Sequence, residues 1–324
     1  MAIKKANELD FSNKKIAMLL LARPGSGKTT LASSAPRPLL IDLENGVDRV
    51  EACYRCDVST CEEDVPLEKR YEVFLNDLKN EDLSNYDTII IDTLGKLIEL
   101  LTPVVIKENS VNGLKDGKTL SLKGYGAVSS KVKEFINFIK SLNKHIIFIS
   151  HVTEVNDGEV VKTRVNIPGS TKDSIWNDID LGGFLEMNGK KRIVSFTPTE
   201  RYDAKGTHGI KGTYEIPTLK DTQNGGTFAD NKFLTNLFDI YIKDIQQSQK
   251  QYSEDEKIYN EAMKMVSEIE KINNIDELNL VVDKLKDIPH ALTSKKELMF
   301  HINAVVERLG ATYDKEAKRY SIIA

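Results

Sequence analysis

Short aliphatic runs alternate with amphipathic stretches over the first half of the chain. Residues 16–21, 39–43, 88–91 and 146–149 are compact, β-branched or leucine-rich, and bounded by polar residues. That is the pattern of strands buried on both faces of a parallel sheet. Between them, residues 68–78 and 128–142 carry helical periodicity. In the second stretch Val128, Val132, Phe135, Ile136, Ile139 and Leu142 fall on one helix face. Strand and helix in alternation predict an α/β fold with right-handed crossovers and helices covering a parallel central sheet.

The texture changes from Val152 to about Thr218, where glycines and polar residues are frequent. Residues 183–187 and 191–198 flank Asn188-Gly189, a hairpin turn signal, and predict antiparallel strands. The glutamine-rich segment 244–251 reads as a linker. Beyond it, residues 254 to about 309 read as helical throughout, with Ile258, Met263, Met265, Val266 and Ile269 as apolar positions. The expected organisation is a core over residues 1–244, with a lead-in over 1–14, followed by a small helical C-terminal module over 245–324.

Bulk composition narrows the function classes. A hydrophobic content of 40% and a charged content of 29% over 324 residues fit an ordinary globular protein. The formal net charge of -4 excludes a globally basic nucleic-acid coat, while a local basic groove stays open. Residues 1–15 are polar and lack the apolar core of a signal peptide, and the run 16–22 is too short to span a bilayer. A cytoplasmic protein with no membrane partner is expected. Cys53, Cys56 and Cys61 cluster without a fourth metal ligand nearby, since the histidines begin at His145, so free thiols are expected.

The chemistry sits between the first strand and the next helix. Ala22-Arg23-Pro24-Gly25-Ser26-Gly27-Lys28-Thr29 has the form of a phosphate-binding P-loop, with Thr30 following in the helix. Glycines let consecutive backbone N–H groups face the phosphates. Lys28 is expected to reach the β- and γ-phosphates and the Thr29 hydroxyl to ligate Mg²⁺. Residues 86–93 form an apolar strand ending in Asp92, the Walker B arrangement, which assigns Asp92 to the Mg²⁺ shell. An aspartate that only caps the following helix is the plainer alternative.

Two further positions complete the candidate site. AAA+ proteins place a glutamate directly after the Walker B aspartate, whereas Thr93 follows here. Glu44 ends the strand after the P-loop helix, beside the expected γ-phosphate, and is the candidate general base that orients water. Asp42 is a weaker candidate, and Glu44 also reads as a turn acid before Asn45-Gly46. His151 ends the strand 146–149 with Ser150 and reads either as a γ-phosphate sensor or as a satisfied structural histidine.

P-loop, Asp42-x-Glu44, Asp92 and Ser150-His151, in that order, resemble the RecA-like ATPase core over about residues 14–220. The opening Gly25-Ser-Gly-Lys28-Thr-Thr-Leu-Ala-Ser-Ser-Ala-Pro-Arg-Pro-Leu-Leu-Ile-Asp42 is similar to the bacteriophage nucleotide-binding proteins of single-strand annealing and recombination. The resemblance implies ATP and Mg²⁺ as ligands, with Glu44 matching the catalytic glutamate and His151 standing where RecA has glutamine. It implies single-stranded DNA as a partner, a homo-oligomeric ring or filament, and a single-strand-binding or other recombination protein as a further partner. For a phage-encoded chain it implies the host cell cytoplasm. Residues 107–125 and 153–176 would be DNA-facing loops carrying Lys115, Lys118, Lys123, Lys162, Arg164 and Lys172. Arg201, Lys205 or Lys211 would supply a finger reaching a neighbour's γ-phosphate. The alternative is a P-loop switch or assembly ATPase that acts on a protein partner instead of DNA.

Overall fold

The computed structural model describes residues 9–49, 57–60, 64–158, 160–217 and 232–322. The first strand, β1 (Ala17–Ala22), is buried at every position and leads through the glycine loop into a short helix, α1 (Lys28–Ala32). In order there follow β2 (Pro38–Asp42), β3 (Asp57–Thr60), α2 (Leu67–Asn80), β4 (Thr88–Asp92), α3 (Leu94–Glu108) and α4 (Leu122–Ser141). Next come β5 (His145–Asp157), β6 (Val160–Val165), α5 (Gly169–Asp178), β7 (Leu181–Asn188), β8 (Lys191–Ser195) and β9 (Thr213–Glu215). The last elements are α6 (Phe233–Met263), α7 (Val266–Glu270), α8 (Ile275–Asp287), α9 (Ser294–Leu309), β10 (Ala311–Asp314) and β11 (Arg319–Ile322).

The sheet runs β3-β2-β4-β5-β1-β7-β8-β9, with β6 paired to the outer part of β5. From β3 to β7 neighbours are parallel, and β8 and β9 return antiparallel. This is the mixed α/β architecture with a mostly parallel sheet flanked by helices. The period-2 alternation of strand side chains divides β1 between two cores. Ala17, Leu19 and Leu21 join the cluster that also holds Phe74, Leu101, Val132 and Phe135, from α2, α3 and α4. Ile16, Met18, Leu20 and Ala22 join the other, with Leu31 of α1 and Leu234, Leu237 and Phe238 of α6. Phe135 is 1% exposed and its ring lies 6.4 Å from Tyr71 and 5.9 Å from Phe74. Both cores converge on β1, so the loop after it stands on a rigid base.

Three expectations need correction. The segment 244–251 is not a linker: it lies inside α6, because glutamine and lysine are straight-chain residues that lose little rotamer freedom in a helix. The segment 153–176 is not a loop. β5 continues past His151 and pairs with β6 as an antiparallel ribbon, followed by α5, and its β-branched residues on both arms favour that pairing. Residues 107–125 are only partly loop, taking in the end of α3, a 3₁₀ turn at Ser110–Asn112 and the start of α4, which Ser121 caps through Gly124 N–H. The C-terminal module is helical to Leu309, as expected. Gly310, at φ 64, ends α9, and β10 and β11 then form a hairpin.

By contact density the chain divides into Asn13–Asp244 and a second unit, made up of the described residues through Ser12 and from Ile245 onward. The second unit has its own core, which includes Ile269, Leu278, Leu298 and Ile302. Asn279 docks its hairpin by accepting from Tyr320 N–H at 2.8 Å and donating to Tyr320 C=O at 3.0 Å. Among the described residues no helix is long and apolar enough to cross a membrane.

Candidate nucleotide site

At the carboxyl end of β1 the backbone turns through Gly25 at φ 74 and Gly27 at φ 89, both left-handed and therefore suited to glycine. Nothing lies within 4 Å of where a Gly25 side chain would start, so the loop is open on that side. The Ser26 hydroxyl donates to Arg23 C=O at 2.7 Å and tightens the turn. Arg23, Pro24 and Gly25 are exposed, and Arg23 pairs with Glu154 of β5. Thr30, half-buried on α1, accepts at its carbonyl from the Ser33 hydroxyl at 2.8 Å.

Lys28 is 6% exposed, and its ammonium folds back on the loop, donating to Ala22 C=O at 3.2 Å and Arg23 C=O at 3.0 Å. Burial holds its pKa below the usual lysine value, although Asp92 and Glu44 pull the other way. A third contact at 3.2 Å joins this ammonium to His151 Nδ1. On the other edge of the imidazole, His151 Nε2 lies 3.3 Å from Glu44 Oε1. An ammonium can only donate and a carboxylate can only accept. Nδ1 therefore accepts from Lys28 and Nε2–H donates to Glu44, the pattern of a neutral imidazole.

The acids hold distinct positions. Asp42 and Asp92 are register partners at the ends of β2 and β4. The Asp42 carboxylate accepts from the backbone N–H groups of Glu44 at 3.1 Å, Gly46 at 2.7 Å and Val47 at 2.7 Å. It thereby holds the turn that presents Glu44, with Asn45 in the left-handed region at φ 49. Glu44 Oε1 also accepts from the Thr93 hydroxyl at 2.9 Å. Thr93 is in turn the N-cap of α3, accepting from Lys96 N–H at 3.4 Å. The sequence marked Thr93 only as the position lacking an acid; its hydroxyl orients an acid from the neighbouring strand.

Asp92 is 9% exposed and accepts from the Thr29 hydroxyl at 2.6 Å. Burial raises its pKa to about 6, with Glu44 and Asp42 adding repulsion that the Thr29 bond and Lys28 partly offset. A hydroxyl and a carboxylate converging there offer the hard oxygen donors that suit Mg²⁺. Among the described residues no three His, Cys, Asp or Glu side chains form a protein-only metal cage.

Other expected residues lie apart from this constellation. Lys205 Nζ donates to Trp176 C=O at 3.1 Å and Ile179 C=O at 2.5 Å, closing the carboxyl end of α5 in its own chain. Arg201 and Lys211 are exposed in the connection between β8 and β9. Lys162 pairs with Asp157, Arg164 with Asp203 at 2.6 Å and Lys172 with Asp203 at 3.3 Å. Lys115, Lys118 and Lys123 are exposed. Cys53, Cys56 and Cys61 lie outside the described residues.

Residues 14–208, from just before β1 into the β8–β9 connection, match the AAA domain family AAA_24. The chain belongs to this family of P-loop ATPase domains. In this AAA domain, Thr93 and not an acid follows Asp92. Among solved structures the chain is similar to a KaiC-like protein from Pyrococcus horikoshii OT3, at 14% identity and TM-score 0.34, over 62% of this chain and 89% of that one. It is also similar to a second solved ATPase domain, at 13% identity and TM-score 0.34, over 56% of this chain and 76% of that one. No curated protein matches the sequence.

Proposed function

We propose that this AAA domain is a RecA-type, Mg²⁺-dependent ATP hydrolase with Glu44 as its general base. The observation that carries the reading is Glu44 Oε1 held between the Thr93 hydroxyl and His151, beside the P-loop lysine. The backbone N–H groups of residues 25–30 receive the phosphates, Pro24 having none to give. Lys28 leaves the Ala22 and Arg23 carbonyls for the β,γ-oxygens, exchanging neutral acceptors for charged ones. Thr29 and Asp92 would hold Mg²⁺, which when bound neutralises charge developing on those oxygens. Glu44 takes a proton from water as the water oxygen bonds to the γ-phosphorus. The bond from that phosphorus to the bridging oxygen breaks, releasing ADP and phosphate. His151 ties the position of Glu44 to that of Lys28, so phosphate binding is transmitted to the base.

We extend the proposal to DNA: ATP binding drives assembly of a homo-oligomer on single-stranded DNA in phage-type recombination or annealing. Lys115, Lys118 and Lys123 support it, because these exposed lysines share the segment 115–125 with Leu122, which is 93% exposed, and Tyr125, an exposed aromatic. Cations beside an exposed ring suit a backbone that carries stackable bases. A second reading, a switch acting on a protein partner, draws on Phe300 of α9, which is 73% exposed. The purified chain is expected to hydrolyse ATP only with Mg²⁺ and faster with single-stranded DNA. Glu44→Gln should keep ATP binding and lose turnover, and normal turnover by that variant would overturn the assignment of the base. Hydrolysis indifferent to DNA, with no DNA retention, would favour the protein-partner reading.

A further inference from the structure

One cation near the loop has no place in the scheme above. Arg192 lies on β8, opposite Met187 in the β7–β8 ladder, with its carbonyl bonded to Ile216 N–H at 2.8 Å. An alanine side chain at position 27 would meet the Arg192 guanidinium carbon and Nη1 at 3.6 Å. The guanidinium therefore rests against the glycine that directly precedes Lys28. Arg192 is an exposed residue, and no carboxylate pairs with it among the described residues. Its neighbour Lys191, by contrast, is paired with Glu215 at 2.7 Å. An arginine held unpaired against a phosphate-binding loop leaves positive potential that an anion relieves, and its planar fork matches phosphate oxygens.

Strand order says which part of the nucleotide it meets. β1 carries the P-loop, with β5, β4 and β2 in succession on one side and β7 and β8 on the other. His151, Asp92 and Glu44 all belong to the first side. A triphosphate whose γ-phosphate points to Glu44 and Asp92 extends its nucleoside end toward β7 and β8. We infer that Arg192 is a same-chain ligand of the α- and β-phosphates, on the opposite flank of the P-loop from the hydrolytic groups. The polarity rests on the ATP-hydrolase reading; the contact with Gly27 does not. Arg192 thus serves the retention of ADP and ATP alike, and the γ-phosphate step depends on the other flank.

The test is equilibrium titration of the full chain with ADP and with a non-hydrolysable ATP analogue, beside steady-state turnover. Arg192→Gln is expected to weaken both ligands by the same factor, about tenfold or more for a lost charge-assisted contact. The KM for ATP should rise in step, with a smaller change in kcat, and Arg192→Lys should recover part of the loss. Lys191→Gln, on the same strand, should bind as the unaltered chain does. Mixing Arg192→Gln chains with Lys28→Ala chains should give only the sum of their separate activities. Unchanged ADP affinity in Arg192→Gln, a loss confined to kcat, or recovery on mixing would overturn the inference and move Arg192 to the γ-phosphate or to a neighbouring subunit. If the unaltered chain binds no nucleotide, the site reading falls together with it.

Discussion

Truncating His151 to alanine tests the link between phosphate binding and the base. The imidazole is 3.2 Å from the Lys28 ammonium and 3.3 Å from Glu44 Oε1, while Glu44 keeps its second bond, from Thr93 at 2.9 Å. Removing the ring deletes one donor to the carboxylate and leaves the glutamate free to turn about the other. A hydrogen bond to a charged group is worth about 1.5–3 kcal/mol. The two side chains are 32% and 31% exposed and the contact is long, so the low end applies. About 1.4 kcal/mol corresponds to tenfold in rate, so kcat for His151→Ala should fall roughly tenfold. Affinity for a non-hydrolysable ATP analogue should stay within about threefold, because Lys28 has other acceptors before phosphate arrives and phosphate itself afterwards. His151→Gln is the informative companion. Its amide offers one acceptor for Lys28 and one donor for Glu44, the same polarity as a neutral imidazole, so kcat should return to within about threefold of the unaltered chain. Steady-state phosphate release and equilibrium binding measure the two quantities. An unchanged kcat in the alanine variant would refute the link. A glutamine variant as slow as alanine would refute the neutral donor–acceptor polarity and point to imidazolium charge.

Three further outcomes are expected. Asp92→Asn should lower Mg²⁺-dependent turnover by about two orders of magnitude or more, and Mg²⁺ with ATP should raise its Tm less than that of the unaltered chain; equal gains in Tm would remove Asp92 from the metal shell. His145, 7% exposed, accepts Ile16 N–H at Nδ1 and stacks 4.9 Å from Phe238, and burial lowers its pKa from 6.5 to about 4, with Lys15 and Lys14 adding and Asp87 and Asp180 opposing. The unfolded chain takes up this proton first, so His145 makes stability fall as pH drops from about 6.5 toward 4, by about 3 kcal/mol in full, and His145→Asn should remove that slope in urea titrations. Phe135→Ala should cost about 3–5 kcal/mol through the cavity left among Tyr71, Phe74 and their neighbours, and a loss under about 1 kcal/mol would mean that the core closes over it.

What was legible in the sequence was whatever is encoded locally. Each inner strand is a few apolar residues with turn signals at both ends, and the P-loop needs only its own glycines and one lysine. α6 was hidden for the opposite reason. Its glutamines and lysines form helix readily, yet over residues 244–251 they carry no unbroken apolar stripe to announce it. The extension of β5 beyond His151 was similarly masked, because a two-stranded ribbon with charged residues lacks the apolar run of a buried strand.

The site was legible only where strand adjacency could be guessed. Asp42 and Glu44 stand two residues apart, and propensity alone does not say which is free. The turn decides it, because three backbone N–H groups converge on Asp42 and leave Glu44 to project toward β4. Thr93 and Arg192 were beyond reach for one shared reason. Each acts on a residue that is remote in sequence and near only through the sheet order, Thr93 on Glu44 across β2 and β4, Arg192 on Gly27 across β7. Lys205 shows the converse. A basic residue in a glycine-bearing segment looks available on paper, yet the carboxyl end of α5 already holds its ammonium on two carbonyls. A cation counts toward phosphate chemistry in this fold only when the sheet places it beside β1 and no acid or carbonyl has claimed it, a condition that Lys205 fails and, among the described residues, Arg192 meets.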